Sequence, residues 1–302
     1  MDTKPAVSMV AVKGRRGWAA EAAAALDAEG FAGIYAPSLG GEQLSYCVTL
    51  AHVTGQCGFG TSIQPIYFRR AADLAATAAY LGEISGGRFR LGIGVSHQPV
   101  HRRLGLAAGR PLSDMRAYVA DLRAAEAEVG PLPPIVLATL RDKMLDLALE
   151  VADGAVWANA ARSHMAKQAA RVPAVKRAEG FSLANMIPTV IGEDRAAAAA
   201  VNRRTMTGYV ALPNYRSYWK EAGYPEEMEA VEKALAAGDR DAIPGLLSDR
   251  WLSDVTLYGT ATEVRAGVEE WVDAGIDVPI LVPSSTSGGQ VRAVEELRAA
   301  FA

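Results

Sequence analysis

The chain has 302 residues, 50% hydrophobic and 22% charged, and its 31 basic and 34 acidic side chains leave a formal charge of −3 with histidine neutral. That composition excludes a disordered or collagen-like chain, and the near balance of charge supplies no field for a polyanion. Nucleic acid and membrane surfaces are therefore not expected partners, and a small molecule is.

In chain order, apolar runs at 6–12, 28–38, 58–68, 84–94, 133–140, 151–160, 185–192 and 273–283 read as eight strands. Four of them, AEGFAGIYAPS, ISGGRFRLGIG, VADGAVWANA and DAGIDVPILVP, carry a glycine suited to end the preceding helix. The runs are nearly continuous rather than alternating, as in parallel strands covered on both sides. Alanine-rich periodic stretches at 18–29, 42–56, 70–84, 112–128, 142–152, 163–178 and 287–301 predict the intervening helices. The pattern predicts an α/β fold, a (β/α)8 TIM barrel in one domain over 1–302, with 195–274 a mainly helical insertion before the eighth strand. The alternative, a doubly wound sheet, usually carries a G-x-G-x-x-G phosphate loop. Gly92 and Gly94 begin such a pattern, but His97 stands where its third glycine belongs.

The insertion gathers aromatic residues in TMTGYVALPNYRSYWKEAGYP. Tyr209, Tyr215, Tyr218 and Trp219 are open to two readings: a lid over a ligand, or ordinary packing at helical spacing. Cys47 and Cys57 lack the paired spacing of a zinc site or a disulfide framework and read as buried apolar residues of a reducing compartment. The opening MDTKPAVSMVAVKGRR has too short an apolar run for a secretory signal, and no stretch of about twenty apolar residues follows, so a cytoplasmic location is expected.

In such a barrel ligands bind at the C-terminal ends of the strands. Those ends offer Pro37, Ser38, Ser62, Gln64, Ser96, His97, Thr139, Arg141, Asn159, Arg162 and Ser284. The sharpest stretch is GGRFRLGIGVSHQPVHRRLG at 86–105, where Gly92 and Gly94 are expected to let a flat ligand approach the backbone. His97 at the strand mouth is a candidate donor of a proton or a hydrogen bond; the plainer reading makes it a cap of the following helix or a partner of backbone carbonyls. His97 and His101 have the i, i+4 spacing of a metal pair, but no H-E-x-x-H glutamate accompanies them and Pro99 lies between, so no metal is expected.

Taken together, GTSIQPIYFRRAADLAATAAYLGEISGG, SGGRFRLGIGVSHQP and LATLRDKMLDLALEVADGAVWANAARS resemble, over nearly the whole chain, the luciferase-like flavin or deazaflavin-dependent oxidoreductases, especially the branch that uses coenzyme F420. The resemblance implies a bulge at the end of the third strand, often with a non-proline cis peptide, whose backbone supports the central ring of the coenzyme at Ser62 and Ile63. It places Ser96 and His97 beside the ring, where several relatives keep a carboxylate or another proton donor. It gives the phosphate of the coenzyme tail the helix start after LATL, with Thr139, Leu140, Arg141 and Lys143, and a second helix start at Arg162 and Ser163 after Asn159. Where many deazaflavin relatives carry an Asp-His pair, this chain has Pro37 and Ser38, so an acid or base there would have to come from Glu42 or Tyr46.

The implied activity is F420-dependent hydride transfer to or from a small organic substrate with His97 as the catalytic residue. FMN-dependent monooxygenation is the alternative, and a ligand-binding barrel without turnover is a third reading. A homodimer is the expected assembly.

Overall fold

The computed structural model describes residues 4–38 and 43–302. The elements up to Val151 are β1 (Lys4–Ser8), α1 (Arg16–Ala28), β2 (Phe31–Ala36), α2 (Gln43–Val53), β3 (Gly58–Thr61), β4 (Gln64–Pro65), α3 (Ala71–Ile84), β5 (Phe89–Gly94), α4 (Gln98–Leu104), α5 (Pro111–Val129), β6 (Ile135–Ala138) and α6 (Asp142–Val151). Then come β7 (Gly154–Ala158), α7 (Arg162–Ala169), α8 (Ala174–Ala178), β8 (Ser182–Ile191), α9 (Arg195–Val210), α10 (Pro213–Glu221) and α11 (Pro225–Ala237). The chain ends with α12 (Ile243–Leu246), α13 (Asp249–Val255), β9 (Leu257–Gly259), α14 (Ala261–Asp273), β10 (Val278–Ser284) and α15 (Gln290–Ala300).

The strand order is β10-β1-β2-β3-β5-β6-β7-β8, with β10 also pairing with β8, which is the cyclic order of a (β/α)8 barrel. All eight expected strands are present. The chain divides into two compact units. One is built from the described residues up to Trp157 with Val172–Ala184, the other from Ala158–Arg171 with Asn185–Ala302.

In the first unit β1 through β7 form parallel ladders, with β4 joining the end of β5. Leu26, Ile34, Phe59, Leu74, Phe89 and Leu137 are fully buried there, each worth about 1.5–3 kcal/mol of transfer free energy. The entry to β3 is fixed by Asp27, whose carboxylate accepts from the amides of Gly55, Gln56 and Cys57 at 2.7, 3.0 and 2.6 Å. Burial opposes the charge, yet these three donors hold the Asp27 carboxyl below its ordinary range.

The second unit has its own core. Met206, Trp219, Met228, Val231, Trp251 and Trp271 are fully buried, and the Trp219 and Trp251 rings meet edge to face at 4.9 Å. Region 195–274 is mainly helical as expected, but it also carries β9, which pairs in parallel with β8 through Thr189↔Leu257, Val190↔Tyr258 and Ile191↔Gly259. The single helix predicted over 163–178 is instead α7 and α8, because Pro173 cannot continue the first and sits at the N-cap of the second. Among the described residues no helix is long and apolar enough to cross a membrane.

Candidate functional site

The end of β3 is built from short-range hydrogen bonds in the first unit. The Ser62 amide donates to Ala36 O at 2.8 Å, and Thr61 Oγ1 donates to Gly92 O at 2.6 Å. The Ser62–Ile63 peptide is cis, at the place the family resemblance implies. Gln43 Nε2 donates to Ile63 O at 3.3 Å from the first turn of α2, a contact that nothing in the sequence announced.

The two glycines of β5 correct the sequence reading. A Cβ on Gly92 would overlap the backbone oxygen of Thr61, and one on Gly94 would lie 2.8 Å from both Ala138 Cβ and Ile63 Cδ1. The room that glycine leaves is filled by the chain itself, so close strand packing accounts for both residues without a ligand. The structure does bring Ile63 and Gly94 together.

Ser38 is half-buried just beyond β2, and Glu42 lies outside the described residues. Tyr46 does not serve as a substitute acid or base. Its hydroxyl is buried and donates to Ala19 O on α1 at 3.2 Å, and burial pushes its pKa further up from the ordinary phenol value.

After β5 the backbone turns sharply. Ser96 takes the left-handed conformation at φ 61°, rare for a residue other than glycine, asparagine or aspartate. His97 follows at the N-cap of α4, half-buried, and its side chain makes no capping hydrogen bond, so the helix-cap reading does not hold. Burial, and secondarily the neighbouring His101, lowers its pKa from the ordinary imidazole value. His101 Nε2 lies 2.6 Å from Val95 O. A carbonyl only accepts, so this nitrogen carries the proton and presents no lone pair to a metal. Among the described residues no group of three or more His, Cys, Asp or Glu is placed to hold a metal ion.

At the end of β6 the Thr139 amide donates to Val156 O at 2.9 Å. The Thr139 hydroxyl is buried and has no hydrogen-bond partner, nor has Trp157 Nε1. The register Ala138↔Val156 continues to set Thr139 opposite Trp157, on the same face of the ladder. Leu140 is half-buried, and the exposed Arg141 stands at the N-cap of α6 without a side-chain cap.

In the second unit the backbone of the loop 159–163 is held by the chain, while Asn159 Nδ2 is buried without a hydrogen-bond partner. Asn159, left-handed at φ 59°, donates its amide to Met186 O at 3.0 Å, and its carbonyl accepts from Trp219 Nε1 at 3.2 Å. The Ala160 amide reaches Asn185 Oδ1 at 3.3 Å and the Ala161 amide reaches the Tyr218 hydroxyl at 3.0 Å. Ser163 donates twice to Asp254, from N at 2.8 Å and from Oγ at 2.6 Å, and Tyr224 adds a third hydrogen bond at 2.8 Å. Arg162 is ion-paired with Glu270 on α14.

The expected second phosphate cradle is therefore corrected. The start of α7 already holds an anion, the carboxylate of Asp254, and its arginine is engaged elsewhere. Tyr215, Tyr218 and Trp219 are buried, with Tyr209 against Tyr215 at 5.2 Å, and two of them hold the loop after β7.

A family model described as luciferase-like monooxygenase matches residues 11–278. A protein of Mycobacterium tuberculosis, provisionally named a coenzyme F420-dependent oxidoreductase, is 26% identical over 323 residues, covering 90% of this chain and 92% of its own. The coenzyme F420-dependent tetrahydromethanopterin reductase from Methanopyrus kandleri superposes with a TM-score of 0.77 at 16% identity, covering 99% of this chain and 98% of that one. A type II Baeyer–Villiger monooxygenase of Pseudomonas putida, solved with FMN, reaches a TM-score of 0.61 at 15% identity over 97% and 96% of the two chains.

Proposed function

The chain belongs to the luciferase-like monooxygenase family, a family of oxidoreductases, and from that premise we propose that it is an F420-dependent enzyme passing a hydride between the deazaflavin and a small organic substrate. An activated alkene, an imine or a carbonyl compound suits that chemistry. The observation that carries the reading is the Thr139 hydroxyl, buried and without a partner beside the start of α6. An unpaired buried hydroxyl costs on the order of 1–3 kcal/mol, and a phosphate oxygen removes that cost by accepting its hydrogen bond. The amides and dipole of the ten-residue α6 favour the same anion.

Thr139, Leu140 and Arg141 would hold the coenzyme tail, and Ser38, Ser62, Ile63, Ser96 and His97 would border its ring. When bound, the deazaflavin supplies the carbon that gives or takes the hydride. His97 holds a proton on a ring nitrogen. Because burial disfavours its charged form, it acts at neutral pH as an uncharged hydrogen-bond donor that polarises the substrate.

The second reading, an FMN-dependent monooxygenase, draws on the likeness to the FMN-bound Baeyer–Villiger enzyme. Separate titrations of the purified protein with F420 and with FMN, followed by fluorescence quenching, test both. Tighter F420 binding is expected. Clearly tighter FMN binding, with oxygen consumed in the presence of reduced FMN, favours the second reading, and binding of neither sinks both. His97→Ala is expected to keep coenzyme binding and lose turnover.

A further inference from the structure

The turn that presents His97 is closed twice by one residue. His101 donates its backbone amide to His97 O at 3.1 Å, and its ring Nε2 lies 2.6 Å from Val95 O. Between these two anchors stands Ser96 in the left-handed region. A residue of that type persists there only where its surroundings over-determine it. The Val100 amide adds one more hydrogen bond to His97 O at 2.9 Å.

The imidazole of His101 is itself braced. It is 7% exposed and meets the Tyr67 ring edge-on, with centroids 5.1 Å apart and planes at 84°. Tyr67 donates its hydroxyl to Asp114 Oδ2 at 2.7 Å, and the same oxygen accepts from the Gly109 amide at 3.1 Å. A line of contacts therefore runs from the end of β5 through His101 and Tyr67 to α5. Among the described residues, Tyr67 and His97 lie against the His101 ring, with Asp114 behind Tyr67; Arg102 and Arg103 on its own helix are exposed.

We propose that His101 is a positioning residue, which fixes the turn from Val95 to His97 through its Nε2–H and so sets the direction in which the His97 imidazole is presented. Its consequence for turnover rests on the proposed role of His97; its effect on the turn does not.

The test uses the full chain without coenzyme and follows the ring resonances of His97 by NMR at a pH where it is neutral. His101→Phe keeps the aromatic contact with Tyr67 and removes the donor. His101→Gln restores an amide N–H at similar reach. The expected result is a displaced or broadened His97 resonance in the Phe variant that returns close to its original position in the Gln variant. Unmoved His97 resonances in folded His101→Phe overturn the proposal, as does a Gln variant that behaves like the Phe variant. If His101→Phe does not fold, Tyr67→Leu decides: loss of the brace is expected to move the same resonance, and no movement overturns the proposal.

With the F420-loaded protein, kcat is expected to fall about tenfold in the Phe variant, the factor supported by one well-made hydrogen bond, with KM changed less and kcat recovered in the Gln variant. Failure of the wild-type protein to bind F420 would overturn the proposed function while leaving the NMR result to decide on His101.

Discussion

Asp254 accepts two hydrogen bonds from a single residue, Ser163, one from its backbone amide at 2.8 Å and one from its hydroxyl at 2.6 Å. Tyr224 completes the set, so a carboxylate that is 7% exposed satisfies three donors. Replacing it leaves all three unpaired. Asp254→Ala is expected to cost about 3 kcal/mol or more in urea unfolding, given about 1.5–3 kcal/mol for each hydrogen bond to a charged group. Because this carboxylate already occupies the start of α7, coenzyme affinity of the folded variant is expected to stay within about twofold of wild type, well under the tenfold that 1.4 kcal/mol represents. A large loss of affinity would show that the second helix start holds the tail after all.

Thr139 predicts the opposite pattern. In the coenzyme-free protein its hydroxyl satisfies nothing, so Thr139→Val, of equal shape, should leave stability unchanged or raise it by up to about 1 kcal/mol. Coenzyme binding should weaken by about ten- to 150-fold, the value of a hydrogen bond to a charged oxygen. Thermal unfolding without coenzyme and fluorescence titration with it separate the two effects. A variant that loses stability but binds normally would place the hydroxyl in a purely structural role.

The glycines of β5 predict graded damage. A methyl group at Gly94 meets Ala138 and a movable Ile63 side chain at 2.8 Å, so Gly94→Ala should cost about 1–3 kcal/mol, the usual range for overpacking. At Gly92 the obstacle is the backbone oxygen of Thr61, which cannot swing aside. Gly92→Ala should therefore be the more destabilised of the two in parallel denaturation curves, and the reverse order would contradict the packing account.

Lowering of the His97 pKa has a definite sign in stability. Its folded pKa lies below the ordinary 6.5, so the unfolded chain binds more protons and stability falls as pH drops through and below that value. His97→Gln carries no such proton. The gap in melting temperature between His97→Gln and wild type should move in favour of the variant from pH 7 to pH 5, and a constant gap would mean that His97 titrates like an exposed imidazole.

Much of the fold was legible because buried parallel strands write themselves as unbroken apolar runs, and all eight of those runs became strands. Leu257–Gly259 was not legible, since three residues carry no period of their own and the strand exists only by pairing with β8. The split of helix 163–178 was readable at Pro173 and was outweighed by the helical periodicity around it. In the site, strand ends pointed to Thr139 and His97. They did not point to Asp254, because its contact with Ser163 spans 91 residues and an aspartate in a helix has no local mark of its partner. Gly92 and Gly94 signalled a close approach, but not whose atoms approach.

The carboxylate at the start of α7 also sets a condition on redesign. A chain that supplies its own counter-anion there has a docking point already taken, and enlarging the range of acceptable tails must begin by evicting it. Exchanging Asp254 for a small neutral side chain would release two donors on Ser163, turning a structural clasp into a vacant berth for sulfonate or phosphate.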